Sequence, residues 1–121
     1  MVLRIQSARF EPDIVSVQVA GSITLGADTH LIEPFVRDLL QQGARKLILD
    51  FSGVDHMDSS GVELIYSCFV TARDSGGQLV FAAANPRVAR LFSITRLDTL
   101  MAFYPTVEAA CEGLSGRATA G

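Results

Sequence analysis

Lys46-Leu47-Ile48-Leu49-Asp50-Phe51, continued by Met57-Asp58-Ser59-Ser60-Gly61 and then by the apolar run from Val62 to Ala72, is the stretch on which the fold turns. Leu47-Ile48-Leu49 has no polar alternation, as expected of a central strand covered on both faces. Val62 to Ala72 reads as a helix. The serines therefore fall at a strand-to-helix junction, where the first helical amides lack intrahelical partners and added negative charge is favoured. Two readings of the junction follow. Either one serine is a phosphorylation switch on a small binding domain, or both serines only cap the helix.

Working outward, Leu79-Val80-Phe81-Ala82-Ala83-Ala84 is a second run without alternation, and two buried strands flanking a helix predict a parallel βαβ crossover. Asn85-Pro86 reads as a cap and first-turn proline opening a short helix through Arg87, Val88, Leu91 and Phe92. A short strand around Leu100 to Phe103 and a helix from Thr106 to Gly113 complete the C-terminal half. Upstream, Val2 to Phe10 and Ile14 to Ala20 form a hairpin around Glu11-Pro12-Asp13. In its second strand Val15, Val17 and Val19 alternate with Ser16, Gln18 and Ala20, which predicts one solvated face. Gly21 to Gly26 reads as a loop. Leu31, Ile32, Phe35, Val36, Leu39 and Leu40 then recur at helical spacing up to Gly43. Pro34 suits only a first turn, so that helix starts near Glu33 or bends there.

The order β-β-α-β-α-β-α-β-α makes this an α/β chain: one domain over residues 1–114, with a mixed β-sheet of about four to five strands and helices packed largely on one face. Ser115 to Gly121 reads as a flexible C-terminal tail. A chain of 121 residues, 49% of them hydrophobic, has material for one real core. Its net charge of −3 and lack of a basic run argue against direct nucleic-acid binding, and 7% aromatic residues leave little for base stacking. No apolar stretch approaches a membrane span and Met1 to Gln6 lacks a signal-peptide pattern, so a cytoplasmic protein is expected. Cys68 and Cys111 lack ligand-spaced partners and read as core thiols.

Catalytic readings each lack parts. Asp50 ends a strand as a receiver-domain aspartate does, without the acidic pair and the later hydroxyl that such a site needs. Asp55-His56-x-Asp58 invites a metal reading, with no second cluster to complete it, and reads as a loop turn. Arg73-Asp74-Ser75-Gly76-Gly77 has a protease-like look but ends a helix, with Gly76 placed to close it. No Gly-x-Ser-x-Gly elbow or phosphate-cradling glycine loop is present. No catalytic site, metal or cofactor is expected.

At 100° per residue, Ser60, Glu63, Ser67, Thr71 and Asp74 gather into a solvent-facing stripe, opposite Val62, Ile65, Phe69 and Ala72. Tyr66 and Val70 occupy one shoulder, on the side of Ser59, and Leu64 the other. Ser60-Gly61-Val62-Glu63 fits a capping box between Ser60 and Glu63, while Asp58 would cap a helix beginning earlier. Either way Ser59 is the hydroxyl least needed for capping. A phosphate there would add a charge of about −1.5 to −2 beside the Tyr66 and Val70 shoulder, enough to release an apolar or acidic partner without unfolding the domain.

The segment from Leu49 to Val62, with Asp58-Ser59-Ser60-Gly61 at its end, resembles the signature of STAS domains, especially bacterial anti-sigma factor antagonists. Gly76-Gly77-Gln78-Leu79-Val80, Asn85-Pro86-Arg87-Val88 with Leu91-Phe92, and the hairpin ending in Gly21 extend the resemblance over Val2 to Leu114. It implies a partner-switching module: unphosphorylated, it sequesters a serine-kinase anti-sigma factor and frees a sigma factor; the kinase, which holds the ATP, phosphorylates it, and a serine phosphatase reverses the change. On this sequence the phosphoacceptor would be Ser59, with Asp58, Ser60, Thr24, Glu63, Tyr66 and Val70 at the partner surface. Two departures stand out. Thr24 replaces an acidic residue frequent near the acceptor, and Thr95-Arg96-Leu97 stands where Thr-Gly-Leu is usual. Thr24 mildly favours the alternative, a non-switching STAS subunit of a lipid-transport ATPase complex or a stressosome-like assembly. Homodimerisation is left open.

Overall fold

The computed structural model describes residues 4–11, 13–24 and 28–115. Five strands lie in the spatial order β1-β2-β3-β4-β5, with β1 (Arg4–Glu11) antiparallel to β2 (Ile14–Ile23). From β2 onward β3 (Lys46–Met57), β4 (Gln78–Ala82) and β5 (Phe103–Tyr104) are all parallel. The parallel neighbours are joined through α1 (Ile32–Gln41), α2 (Ser59–Asp74) and α3 (Pro86–Ile94), and α4 (Val107–Ser115) follows β5. The α/β mixed sheet and the βαβ crossover are as the sequence reads.

The main core lies between the sheet and α1, α2 and α3. Val15, Val17, Val19, Leu47, Leu49, Phe51 and Phe81 meet Val36, Ile65, Cys68 and Phe92 there. Full burial of an aliphatic or aromatic side chain of this size contributes about 1.5–3 kcal/mol. Phe81 and Phe92 each bring their rings within 5.0 Å of Phe103, seating α3 on the far end of the sheet. Asn85 fixes where α3 begins: its side chain accepts from Val88 N at 2.9 Å and donates to Val54 O at 3.1 Å, so cap and strand share one residue.

Pro34 lies in the first turn of α1, preceded by a 3-10 turn over Asp28–Leu31, so the helix starts before Glu33 and needs no bend. Gly76 closes α2 as expected. At φ 82° it turns the chain so that Gly77 N reaches Ala72 O at 2.9 Å and Gly76 N reaches Arg73 O at 3.1 Å.

Several expectations are corrected. Gly21 to Ile23 is strand, not loop, and Asp55 and His56 belong to β3 rather than to a loop turn; Ser22 pairs with His56 and Ile23 with Met57. Register shifts between Gln18 and Ala20 and between Gly21 and Ser22 break the alternation that would have marked these residues as strand. The strand expected around Leu100 to Phe103 begins only at Phe103, as β5; Leu100 instead closes a 3-10 turn over Leu97–Thr99. Ser16 is buried, not solvated, because α4 covers the second face around Ile14, Ile48, Val80, Ala82 and Ala110. Ser115 ends α4, its hydroxyl donating to Glu112 O at 3.1 Å, rather than opening the tail. The rest of the expected tail, residues 116–121, lies outside the described residues, as do Val2, Pro12 and Leu25 to Gly26.

Candidate functional site

The junction is built by Asp58. Its backbone is extended, its carboxylate accepts from Gly61 N at 3.0 Å, and its carbonyl accepts from Val62 N at 3.1 Å. Asp58 is therefore the N-cap and Ser59 the first helical residue. The Ser60–Glu63 capping box does not form, because helix has already begun at Ser60. The Ser60 hydroxyl instead donates to the Asp58 carboxylate at 2.6 Å, a charge-assisted bond that holds the cap in place. Asp58 N also donates to Ile23 O at 3.3 Å, tying the junction to the end of β2.

Ser59 is left exposed at the positive end of the 16-residue α2, with no acidic residue in the helix's first turn. A groove of about 310 Å³ runs from it between α2 and α3. Val62, Glu63 and Tyr66 form the α2 wall; Leu91, Ile94, Thr95 and Leu97 form the other. Ile94 is 66% exposed, so an apolar surface stands open beside the hydroxyl.

Of the residues singled out from sequence, the structure brings Ser59, Glu63 and Tyr66 into one groove and places Asp58 and Ser60 behind Ser59 as its support. Val70 is half-buried and does not line the groove; Thr24, next to Ile23, is half-buried beside the junction and does not line it either. The stripe on α2 is also less solvated than its spacing suggests. Thr71 is half-buried and donates to Glu33 of α1 at 3.0 Å. Val62, Leu91, Ile94, Thr95 and Leu97 line the groove without having been expected at the partner surface. Val62 and Leu91 read as core positions and Thr95 as part of a departure from the family pattern, which leaves Ile94 and Leu97 as the apolar residues that sequence reasoning missed. Their signal was faint: one apolar residue past the last core position of α3 and one in the turn after it.

The other candidate chemistry disperses. Asp55 accepts from the Ser22 hydroxyl at 3.2 Å and Asp58 is turned into its helix, so Asp55, His56 and Asp58 do not converge. Burial, with the Glu33 carboxylate adding to it, pushes the Cys68 thiol up to about 12, the state of an unreactive core thiol. Cys111, on α4, is only half-buried. Among the described residues no helix is long and apolar enough to cross a membrane.

A sequence profile of the STAS domain matches residues 6–110, a span that includes the β3-Asp58-α2 junction. The chain belongs to the STAS-domain family. A Thermotoga neapolitana protein provisionally named an anti-sigma factor antagonist is 33% identical over 91 residues, covering 74% of this chain and 80% of its own length. The anti-sigma-B factor antagonist of Staphylococcus aureus is 28% identical over 85 residues, covering 70% of this chain and 78% of its own. Among solved structures, that of a Thermotoga maritima protein with the same provisional assignment as the first superposes with a TM-score of 0.80 at 26% identity, over 90% of this chain and 92% of its own.

One departure of this STAS domain has a physical consequence. Arg96, standing where the resemblance leads one to expect glycine, has φ 62° and ψ 16°, a left-handed backbone that strains a residue carrying a Cβ. Arg96→Gly is expected to stabilise the domain by about 0.5–1 kcal/mol, the relieved strain exceeding the added freedom of the unfolded chain. Urea unfolding should show a higher midpoint at unchanged slope; a lower midpoint would mean that the arginine side chain contributes more than its backbone costs.

Proposed function

We propose that this STAS domain is an anti-sigma factor antagonist, a binding module rather than an enzyme, switched by phosphorylation of Ser59. Unphosphorylated, it sequesters a serine-kinase anti-sigma factor and so frees a sigma factor for transcription. The partner kinase supplies ATP, and a serine phosphatase restores the binding form. The observation that carries this reading is the position of Ser59: exposed, spared from capping by Asp58 and Ser60, and at the mouth of an open apolar groove. A docked apolar surface would bury that hydroxyl at modest cost, whereas a phosphate would place a charge of about −1.5 to −2 in the contact. The names of the relatives support the class of partner.

The test is phosphotransfer. The chain is incubated with candidate serine-kinase anti-sigma factors and ATP, and the modified residue is mapped by mass spectrometry. Phosphate on Ser59, accompanied by release of the kinase, is expected. A kinase that binds tightly yet leaves Ser59 unmodified would sink the switch and favour the non-switching STAS subunit, the reading to which Thr24 leans.

A further inference from the structure

The opposite face of the sheet holds a second feature that the partner groove does not use. A cavity of about 480 Å³ lies between β2, β3 and α4. Its floor is polar and buried. Ser16 is 1% exposed and its hydroxyl makes no hydrogen bond among the described residues. Asp50, next to Gln18 in the β2–β3 register, is 6% exposed; its Oδ1 accepts from Ser52 N at 2.9 Å. Val15 and Val17 point into the main core, so alternation aims Ser16 at the α4 side, where the cavity lies. α4 supplies the roof: Glu108 and Glu112, one turn apart and both exposed, with Val107 and Cys111 between the carboxylates and the floor's apolar neighbours.

Three carboxylates thus line one cleft, and among the described residues none of them is ion-paired. A nearly buried carboxylate and a buried hydroxyl without a partner are both costly unless something donates to them. Among the described residues no group of three acidic, histidine or cysteine side chains is gathered closely enough to hold a metal ion. Carboxylates spread along a cleft with apolar surface between them instead suit an extended cation.

We propose that this cavity binds a small linear aliphatic di- or polyamine. One ammonium group donates to the Asp50 carboxylate and to Ser16 Oγ, the methylene stem lies along Val107 and Cys111, and a second ammonium group meets Glu108 and Glu112. An ammonium group brings three donors and no acceptor, which suits a carboxylate lying near a hydroxyl oxygen that can accept. The site faces away from Ser59 and does not depend on phosphorylation.

The test is a titration of the isotopically labelled full chain with 1,4-diaminobutane, read from amide chemical shifts, with n-butanol and magnesium chloride as controls. Saturable shifts centred on Ser16, Asp50 and Cys111 are expected with the diamine and not with either control. Asp50→Asn, which keeps the acceptor for Ser52 N, should weaken binding tenfold or more, and the double variant Glu108→Gln/Glu112→Gln on the exposed α4 face should do the same. Ser59→Ala should leave it unchanged. The proposal fails if the diamine gives no saturable shift by about 10 mM, the weak end of specific recognition, if magnesium reproduces the shifts, or if the carboxamide variants bind as the parent does. Should Asp50→Asn lose the dispersion of a folded spectrum, the α4 double variant decides alone.

Discussion

Ser59→Asp is expected to bind the proposed partner, an anti-sigma kinase, about 100-fold more weakly than the parent domain, a loss of about 2.7 kcal/mol, while keeping its thermal midpoint within about 2 °C. The two halves of that result have separate causes. Ser59 is exposed and Asp58 already caps α2, so a carboxylate at the first helical position removes no contact and suits the helix dipole. The same carboxylate stands at the mouth of a groove walled by Val62, Tyr66, Leu91, Ile94 and Leu97, where a docked partner would have to desolvate it. Ser59→Ala should bind as the parent does, without release on addition of ATP. Calorimetric titration of the three forms against one kinase separates these outcomes; equal affinities for all three would reduce Ser59 to a surface residue.

Gly61→Ala carries the largest expected stability effect, a loss of about 3 kcal/mol with the thermal midpoint lowered by about 10 °C or more. Gly61 lies in the first turn of α2, where alanine would ordinarily be welcome. Here a Cβ would be driven into the Ile23 carbonyl oxygen and would sit 2.7 Å from Met57 Cγ and 3.1 Å from Ile23 Cγ2. The methionine side chain has room to turn, but the carbonyl belongs to β2 and is held by Asp58 N. Relief therefore requires parting the end of β2 from the start of α2, the same seam that presents Ser59. Thermal unfolding by circular dichroism checks the stability. Kinase binding should weaken as well, although the substituted residue does not line the groove.

The sheet was legible in the sequence wherever burial imposes a repeating demand. Leu47-Ile48-Leu49 and Leu79-Val80-Phe81 are uninterrupted because both faces of those strands are covered, and Val15, Val17 and Val19 alternate because one face meets α1 and α2. Legibility fails where β2 and β3 slip in register against each other, although Ile23, Val54 and Met57 there are still core residues. There Gly21, Ser22, Ser52 and Gly53 sit at shifts of register, and small residues that accommodate such shifts look like a loop to any reading by period. α4 was found as a helix, but nothing in its own pattern says which face of the sheet it covers. That is why Ser16 reads as solvated and is in fact buried.

At the site, the sequence by itself determined the strand-to-helix junction, the presence of a serine with no capping duty, and the Tyr66 side of α2 on which it lies. Those follow from local chemistry: helix ends need acceptors, and residues three or four apart share a face. Only the tertiary structure decided which acidic or hydroxyl group caps the helix, because Asp58 and Ser60 each satisfy the local rule and the choice falls to Asp58 N meeting Ile23 O. It alone decided that the apolar neighbours of Ser59 come from α3 and the turn after it rather than from Val70, since a groove between two helices has no spacing in either one. And it alone decided that Gly61 must be glycine, because the atom that excludes a side chain there belongs to a strand 38 positions earlier in the chain.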